Sequence, residues 1–187
     1  MQEDPSDLAT AAESGVRALL RTTGRDPAHG DLIDTPARVV KAFLEMTQGY
    51  RQSPAEILAR TFDVECDEMV IVDGVEFTSL CEHHLLPFVG TAKLGYVPGK
   101  RVVGLSKLAR LVDCYAQRLQ VQERLTQEIA SAIDTYLEPR SVGVVVRAEH
   151  QCMACRGVRK RARMVTSALL GDLKTDPAMR AEFLQLT

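Results

Sequence analysis

The stretch Cys81-Glu82-His83-His84-Leu85-Leu86-Pro87-Phe88 joins two apolar segments and is matched, far downstream, by Glu149-His150-Gln151-Cys152-Met153. Three of the four histidines and two of the five cysteines of the chain lie in these two stretches. Cys81 and His84 are three positions apart, a spacing that lets a thiolate and an imidazole converge on one ion from a tight turn. Because thiolates and imidazoles are the usual ligands of zinc, the sequence predicts a zinc site.

A third metal ligand has to come from the downstream stretch. Residues 141–152 alternate β-branched and other side chains, a pattern that predicts a strand in which residues two apart share a face. We therefore expect His150 and Cys152 to point in the same direction. The combined pattern favours zinc over the alternative, which is a reduced core cysteine beside surface histidines.

Length and composition describe an ordinary globular protein. The 187 residues, 45% of them apolar, fit one domain with a helical extension. The odd cysteine count and a start that lacks the regions of a signal peptide favour a reducing compartment, and we expect the cytoplasm. No apolar run approaches the roughly 20 residues that a membrane helix needs. The formal net charge of −2 provides no field that would gather nucleic acid, so neither a membrane nor a nucleic-acid partner is expected.

Hydrophobic periodicity and turn signals predict the order of the elements. Two amphipathic helices come first, one from Asp4-Pro5 to Gly24 and one over about 36–48. Two strands follow, over about 69–80 and 88–97. Ser106 can cap a helix with apolar residues over 108–115, and a longer helix has its apolar residues over 125–137 and ends at Pro139. Two further strands, over about 142–152 and 164–170, and a last helix over about 177–186 complete the order. This order predicts an α+β fold with an antiparallel sheet.

Five motifs in this order resemble a known enzyme family. They are residues 81–88, 104–110, 120–126, 150–153 and 156–158. From about Asp34 to the C-terminus the chain closely resembles GTP cyclohydrolase I. The resemblance implies a tunnelling fold, in which a ββααββ antiparallel sheet with helices on one face follows an N-terminal helical extension. It divides the chain into an extension over 1–60 and a catalytic domain over 61–187, and it implies a homodecamer with active sites at subunit interfaces.

The resemblance also implies the reaction and the metal. GTP and water give formate and 7,8-dihydroneopterin triphosphate, the first step towards tetrahydrofolate or tetrahydrobiopterin. The family pattern makes Cys81, His84 and Cys152 the zinc ligands and leaves the fourth position to water, the arrangement of a catalytic zinc. His83 and His150 are the residues expected to move protons, since histidine has a reference pKa of about 6.5.

Two neighbouring residues are expected to recognise the guanosine. Glu123 has no basic residue three or four positions away on its helix, so its carboxylate is free to bind the N1 and N2 hydrogens of guanine. The alternative is an ordinary solvated glutamate, which the family pattern disfavours. Gln122 lies on the inner stripe of the same helix, and we expect it to reach the base or the ribose.

Basic residues from several segments are expected to bind the triphosphate. Lys107 and Arg110 follow Ser106 in a first helical turn, where the helix dipole disfavours cations unless an anion is bound. The family pattern adds three more phosphate contacts, two of them reaching in from a neighbouring subunit: Arg156, Arg38 and Lys41. For the basic residues that follow Arg156, a solvated surface is the better interpretation.

Two other functions are compatible with parts of the sequence. Cys155 gives the segment a zinc-knuckle spacing, and a closed site of Cys81, His84, Cys152 and Cys155 would make the chain a catalytically inactive zinc-binding paralogue. A tunnelling-fold nitrile reductase would use NADPH and a nucleophilic cysteine instead of zinc. The paired ligands in the two motifs disfavour that second enzyme.

Overall fold

The structure is a computed structural model and describes residues 4–63 and 66–186. The described residues up to Met46 form one unit, which holds helices α1 (Pro5–Thr22) and α2 (Thr35–Met46) packed against each other. Helix α1 begins where the Asp4 carboxylate accepts a hydrogen bond from the Ser6 amide (2.9 Å), which satisfies one of the free N–H groups at the helix start. Both N-terminal helices are therefore confirmed. No helix in 4–63 or 66–186 is long and apolar enough to cross a membrane.

The residues from Thr47 onward form the second unit. Its strands are β1 Thr61–Phe62, β2 Val70–Cys81, β3 Pro87–Val97, β4 Val102–Val103, β5 Leu119–Gln120, β6 Ser141–His150 and β7 Arg163–Gly171. Its helices are α3 Pro54–Leu58, α4 Leu105–Ala116, α5 Gln122–Leu137, α6 Gln151–Ala154, α7 Asp172–Thr175 and α8 Pro177–Gln185, preceded by a 3-10 turn Gln48–Arg51. The α+β class is confirmed. The functional division into 1–60 and 61–187 stays a prediction, and residues 1–3, 64–65 and 187 of those ranges lie outside the described residues.

The main sheet has the strand order β5-β2-β3-β6-β7. All neighbours are antiparallel except β5, which runs parallel to β2 through the pairs Leu80↔Leu119 and Cys81↔Gln120. The prediction of a wholly antiparallel sheet is therefore wrong at β5. Strand β5 lies between α4 and α5 along the chain and has only two residues, which is too short to show a hydrophobic period in the sequence. It places the start of α5 beside the end of β2.

The turn signal Asp73-Gly74 lies inside β2 and does not end it. The register with β3 shifts between Val72 and Val75, and Gly74 has a φ of +73°, a conformation that L side chains rarely adopt. The two residues therefore form a bulge in a continuous strand.

Helices α4 and α5 cover one face of the sheet. Leu125, Ile129 and Ile133 of α5 are fully buried, as are alternate residues of β6 such as Val144 and Val146. Helical spacing in α5 and alternation in β6 bring these side chains into one core. Burial of each side chain contributes about 1.5–3 kcal/mol to the stability of the fold. The core fixes the ends of β2, β6 and α5 relative to one another, and the possible metal ligands lie at or just beyond the ends of the two strands.

The other face of the sheet is covered by α7 and α8, so the prediction of helices on one face is wrong for the C-terminal pair. The fully buried ring of Phe183 on α8 lies where the strands carry Gly95 and Gly143. A Cβ atom at either glycine would come within 2.7 Å of the ring. The two glycines thus form a socket for Phe183, and α8 docks because the sheet has no side chain at these positions.

Candidate metal centre and active site

Three residues bring possible metal ligands together at one end of the sheet. The ligand atoms of Cys81, His84 and Cys152 all lie within 4.8 Å of one another, and the Cys81 Sγ is 3.7 Å from His84 Nδ1. Ligands of a tetrahedral zinc, bound at 2.0–2.3 Å, are about 3.5 Å apart. Two thiols and one imidazole nitrogen are also the donor types that zinc prefers, so the residues fit the ion.

Cys81 and His84 are held by residues 81–86, which we call the metal turn. The Cys81 amide donates to the Leu86 carbonyl (2.9 Å), and the Leu85 amide donates back to the Cys81 carbonyl (2.8 Å). Leu85 has a φ of +54°, which is uncommon for a side chain other than glycine and shows how tightly the chain reverses here. The turn joins β2 to β3, so the sheet itself fixes the positions of both ligands.

Cys152 reaches the group from α6 and not from a strand. The prediction that the strand continues to Cys152 is wrong, because β6 ends at His150 and the Cys155 amide then bonds to the Gln151 carbonyl (3.0 Å) in a helical turn. His150 and Cys152 therefore do not share a strand face. Burial, and then the neighbouring Cys81 thiol, raise the pKa of Cys152.

Cys155, the fourth ligand of the closed-site alternative, does not join the group. Its side chain is exposed. Across the ranges that the structure describes, the ligand group comprises Cys81, His84 and Cys152. The arrangement leaves one tetrahedral position without a protein ligand.

Of the two histidines expected to move protons, one lies close to Cys81 and the other precedes Cys152 by two residues. The exposed His83 has its Nδ1 3.9 Å from the Cys81 Sγ and its Nε2 3.9 Å from a Glu82 oxygen. His150 is half-buried beneath Phe88, its partner in the register of β3 and β6, with ring centroids 4.6 Å apart and planes inclined by 3°. Burial lowers the pKa of His150.

Gln122 and Glu123 begin α5 and have different surroundings. Gln122 is 1% exposed, and its Oε1 lies 2.8 Å from His150 Nε2. The Glu123 side chain is exposed and near enough to His150 to raise that residue's pKa against the effect of burial. Among the described residues, the Glu123 carboxylate has no ion-pair or hydrogen-bond partner. The absence of an ion pair agrees with the expectation that Glu123 has no basic residue within reach on its own helix.

Sequence reasoning missed Arg124 and Glu82. The Arg124 guanidinium contacts the Glu82 carboxylate and also donates to the Leu119 carbonyl (2.9 Å) and to Gln120 Oε1 (3.0 Å). The Glu82 amide donates to the Gln120 carbonyl (3.0 Å). Arg124 thus connects the metal turn to the start of α5. Two exposed charges 42 positions apart leave no signal in a single sequence.

The residues expected to bind phosphate lie on α4, on α2 and just after α6, and not on the metal turn or α5. Ser106 was expected to cap a helix, but α4 begins at Leu105 with Gly104 as its N-cap, so that prediction is wrong. Ser106 and Arg110 are exposed, and Arg110 lines a cavity of about 520 Å³. The cavity lies among the 3-10 turn, α3 and α4, and its lining contains none of the possible metal ligands.

Of the remaining predicted phosphate contacts, Lys107 on α4 is half-buried, whereas Arg156, Arg38 and Lys41 are exposed. Arg156 follows α6 and lies close enough to Cys152 to lower its pKa, against the larger effect of burial. Arg38 and Lys41 lie on α2 in the N-terminal unit. Arg38 forms an ion pair with Asp34 at 2.9 Å, an exposed contact one helical turn away.

Comparisons with known proteins agree with these observations. Residues 12–187 match the family model of GTP cyclohydrolase I. GTP cyclohydrolase 1 of Mycobacteroides abscessus is 54% identical over 178 residues, which cover 94% of this chain and 87% of the relative. GTP cyclohydrolase 1 of Streptomyces avermitilis is 52% identical over 178 residues, which cover 94% of this chain and 88% of the relative.

One solved structure, described as the archaeosine synthase QueF-Like in the apo form, is similar at a TM-score of 0.43 and 17% identity over 54% of this chain and 92% of that chain. A similarity this low carries no argument about the fold. The family match and the two relatives, by contrast, span nearly the whole sequence, and the chain belongs to the GTP cyclohydrolase I family.

Proposed function

We propose that this enzyme is a zinc-dependent hydrolase that converts GTP and water to formate and 7,8-dihydroneopterin triphosphate. The observation that carries the proposal is the group of Cys81, His84 and Cys152 beside His150 and Glu123. The product would enter the synthesis of tetrahydrofolate or tetrahydrobiopterin. That the enzyme works in the cytoplasm stays a prediction from its cysteines.

The three possible ligands suit a catalytic zinc. When bound there, zinc would act as a Lewis acid and lower the pKa of water at its open position to about 7, so that C8 of guanine can be attacked at neutral pH. The chain's own contribution is to hold two thiolates and one imidazole at the right separation. The metal turn and α6 do so without a fourth protein ligand, since Cys155 stays outside the group.

Glu123 is suited to select guanine. Its carboxylate can accept the hydrogens on N1 and N2 of the base, and adenine does not offer these two donors in that pattern. Its position one residue after Gln122 places it next to His150. The same contact would place the base so that its C8 faces the metal group.

His150 and His83 are suited to move protons during ring opening. Attack at C8 requires a proton at N7, and later steps move protons at N9 and on the ribose. His83 lies close to Cys81, and His150, two residues before Cys152, is held by stacking on Phe88. A histidine fixed in this way transfers a proton without first having to be oriented.

The triphosphate would be bound by cations from several elements. We assign this role to Ser106, Lys107, Arg110, Arg156, Arg38 and Lys41. The cavity lined by Arg110 contains none of the possible metal ligands, which supports an active site completed by a neighbouring subunit. A triphosphate held away from the metal leaves C8 free to react.

Open sheet edges support an oligomer. In the described part of the chain, β7 pairs on one side only, and β2 pairs with β5 through two residues. Unpaired edges of this length invite pairing with another chain. We propose that the sheets join between subunits, as in a tunnelling fold, and that the assembly is a homodecamer with interfacial sites. Sedimentation velocity tests the decamer.

One assay tests substrate, reaction and metal together. Purified protein is incubated with GTP, and formate release and the absorbance of the pterin product are followed before chelation, after chelation and after zinc is returned. We expect activity with GTP, its loss on chelation and its recovery with zinc, while ATP gives no product. Turnover that persists in protein shown to contain no metal would contradict the role of zinc, and no product from GTP in zinc-loaded protein would contradict the function.

A further inference from the structure

The orientation of the Gln122 amide is fixed by the strands behind it. Its Nε2 donates to the carbonyls of Val146 (3.0 Å) and Met164 (3.2 Å) and to the Thr166 hydroxyl (3.2 Å). Carbonyl oxygens accept hydrogen bonds and donate none, so a reversed amide would place Oε1 against two acceptors. The hydrogen-bond network, and not the shape of the side chain, therefore establishes which end of the amide faces His150.

The surrounding hydroxyl groups are consistent with this orientation. Thr126 donates to the Gln122 carbonyl at 2.8 Å, and the hydroxyls of Thr126 and Thr166 are 2.6 Å apart. The Thr126 proton is committed to that carbonyl, so Thr166 donates to Thr126 and keeps its lone pairs for the Gln122 amide. Every polar group in this buried set has a partner.

The Gln122 oxygen then determines which nitrogen of His150 carries the hydrogen. An amide oxygen can only accept, so His150 Nε2, at 2.8 Å, is the donor. A neutral imidazole has one N–H, and Nδ1 therefore keeps a lone pair. Nδ1 has no hydrogen-bond partner within 4–63 and 66–186. Turning the ring over would break the bond to Gln122, and stacking on Phe88 holds the ring plane.

We propose that Gln122 is a positioning residue that holds His150 in the Nε2–H tautomer, so that His150 exchanges protons with the substrate through Nδ1. The proposal rests on the proton-transfer role proposed above for His150. In one half of the exchange, Nδ1 takes a proton and the ring becomes an imidazolium that still donates from Nε2 to Gln122. In the other half, Nδ1 returns that proton, and the starting tautomer is restored. No other reactant is consumed.

This role replaces the expected contact between Gln122 and the base or ribose. The side chain is 1% exposed, and both ends of its amide are already bonded within the protein. A direct contact with substrate would break one of these bonds and leave a buried group unpaired, which costs about 1–3 kcal/mol. Glu123, the next residue, is exposed and remains the better substrate contact.

Magic-angle-spinning NMR on zinc-loaded protein with labelled histidine tests the tautomer at any oligomer size. The chain has four histidines, and His150→Gln identifies the His150 signal. At alkaline pH, where free imidazoles are neutral, we expect wild-type His150 to have a protonated Nε2 and a bare Nδ1. Gln122→Asn and Gln122→Leu should give a mixture of both tautomers. Gln127→Asn, an exposed change on the same helix, should leave the spectrum unchanged.

Kinetics distinguish positioning from substrate contact. Gln122→Asn should lower kcat about 10- to 100-fold with an unchanged KM for GTP, and it should cause no further loss in a His150→Gln background. A raised KM with normal kcat would overturn the proposal in favour of substrate contact. So would a wild-type His150 that carries its hydrogen on Nδ1, a result that does not depend on either Gln122 variant.

The same experiments separate this inference from the proposed function. A tautomer that depends on Gln122 in a protein that does not convert GTP would overturn the function and support the hydrogen-bond assignment. A protein that converts GTP while His150 keeps one tautomer in both Gln122 variants would support the function and overturn the positioning role.

Discussion

The Arg124 guanidinium contacts the Glu82 carboxylate, and this contact joins the first turn of α5 to the metal turn. The same guanidinium donates to the Leu119 carbonyl and to Gln120, whose own carbonyl accepts from the Glu82 amide. Both charged side chains are partly exposed, so the ion pair by itself contributes little to folding stability. The contact instead fixes the position of the metal turn relative to the start of α5, the two segments that contain Cys81, His84 and Glu123.

Removing this contact should weaken the metal site more than the fold. We expect Arg124→Gln to lower the apparent zinc affinity about tenfold, since groups that orient metal ligands affect affinity on this scale. Competition with a chelator measures the affinity, and thermal unfolding measures the stability. Arg17→Gln, which removes the ion pair to Glu13 at 3.0 Å, is the matched control and should leave zinc affinity unchanged.

A charge exchange tests whether the contact itself matters. The double variant Glu82→Arg with Arg124→Glu should recover part of the affinity that each single change loses. If Arg124→Gln binds zinc as tightly as the wild type, the contact does not hold the metal turn.

Each possible metal ligand should be indispensable. Cys81→Ser, His84→Ala and Cys152→Ser should each lose bound zinc and pterin formation together, because three protein ligands leave no redundancy. Elemental analysis gives zinc per chain, and product absorbance gives activity. Cys66→Ser, at a cysteine outside the ligand group, is the control and should keep both. A variant with normal zinc and normal turnover would remove that residue from the ligand set.

Glu123→Gln should raise the KM for GTP about 10- to 100-fold, because an amide accepts one hydrogen of guanine but directs its own donor at the other. Steady-state kinetics with GTP measure the change, and ATP should remain without product. Asp134→Asn removes an exposed carboxylate from the same helix and should leave KM unchanged. An unchanged KM in the Glu123 variant would show that the carboxylate does not bind the base.

The sequence predicted the parts of the fold that local patterns encode. The stripe of Leu125, Ile129 and Ile133 follows helical spacing and is buried, and the valine-rich first part of β6 is buried on both of its faces. The spacing of Cys81 and His84 indicated a pair of metal ligands, and the family resemblance added Cys152 as the third. The helical stripe and the Cys–His pair were predictable because one short segment contains each signal.

What the sequence did not reveal depends on contacts between distant segments. The prediction extended the strand from its β-branched residues, which end at Val146, as far as Cys152, whereas a backbone bond after His150 turns the chain into α6. The hydrogen-bond partners of the Gln122 amide come from β6 and β7, and its place on α5 did not indicate them. The glycines of the Phe183 socket have no side chain that could form a pattern.

The Phe183 socket should make the effects of two substitutions interdependent. Gly143→Ala places a methyl group 2.7 Å from the Phe183 ring, so we expect it to destabilise the fold by about 1–3 kcal/mol. Phe183→Ala should lower the free energy of unfolding by about 3–5 kcal/mol and also leave room for that methyl group. Urea unfolding should therefore show Gly143→Ala to be nearly neutral in the Phe183→Ala background. Gly30→Ala, where an added Cβ meets nothing within 4 Å, is the control. Full additivity of the two changes would rule out the socket.

A substitution at Cys155 should have opposite effects in an open metal site and in a closed one. Cys155→Ala should keep one zinc per chain and most of the activity, because the residue is exposed and lies outside the ligand group. In a closed four-ligand site, the same change would weaken zinc binding and admit water, so activity would be gained instead of kept. X-ray absorption on the wild-type protein distinguishes the two without mutation. We expect two sulfurs, one nitrogen and one further light atom around zinc, whereas three sulfurs would mean that Cys155 closes the site and that water has no position from which to attack.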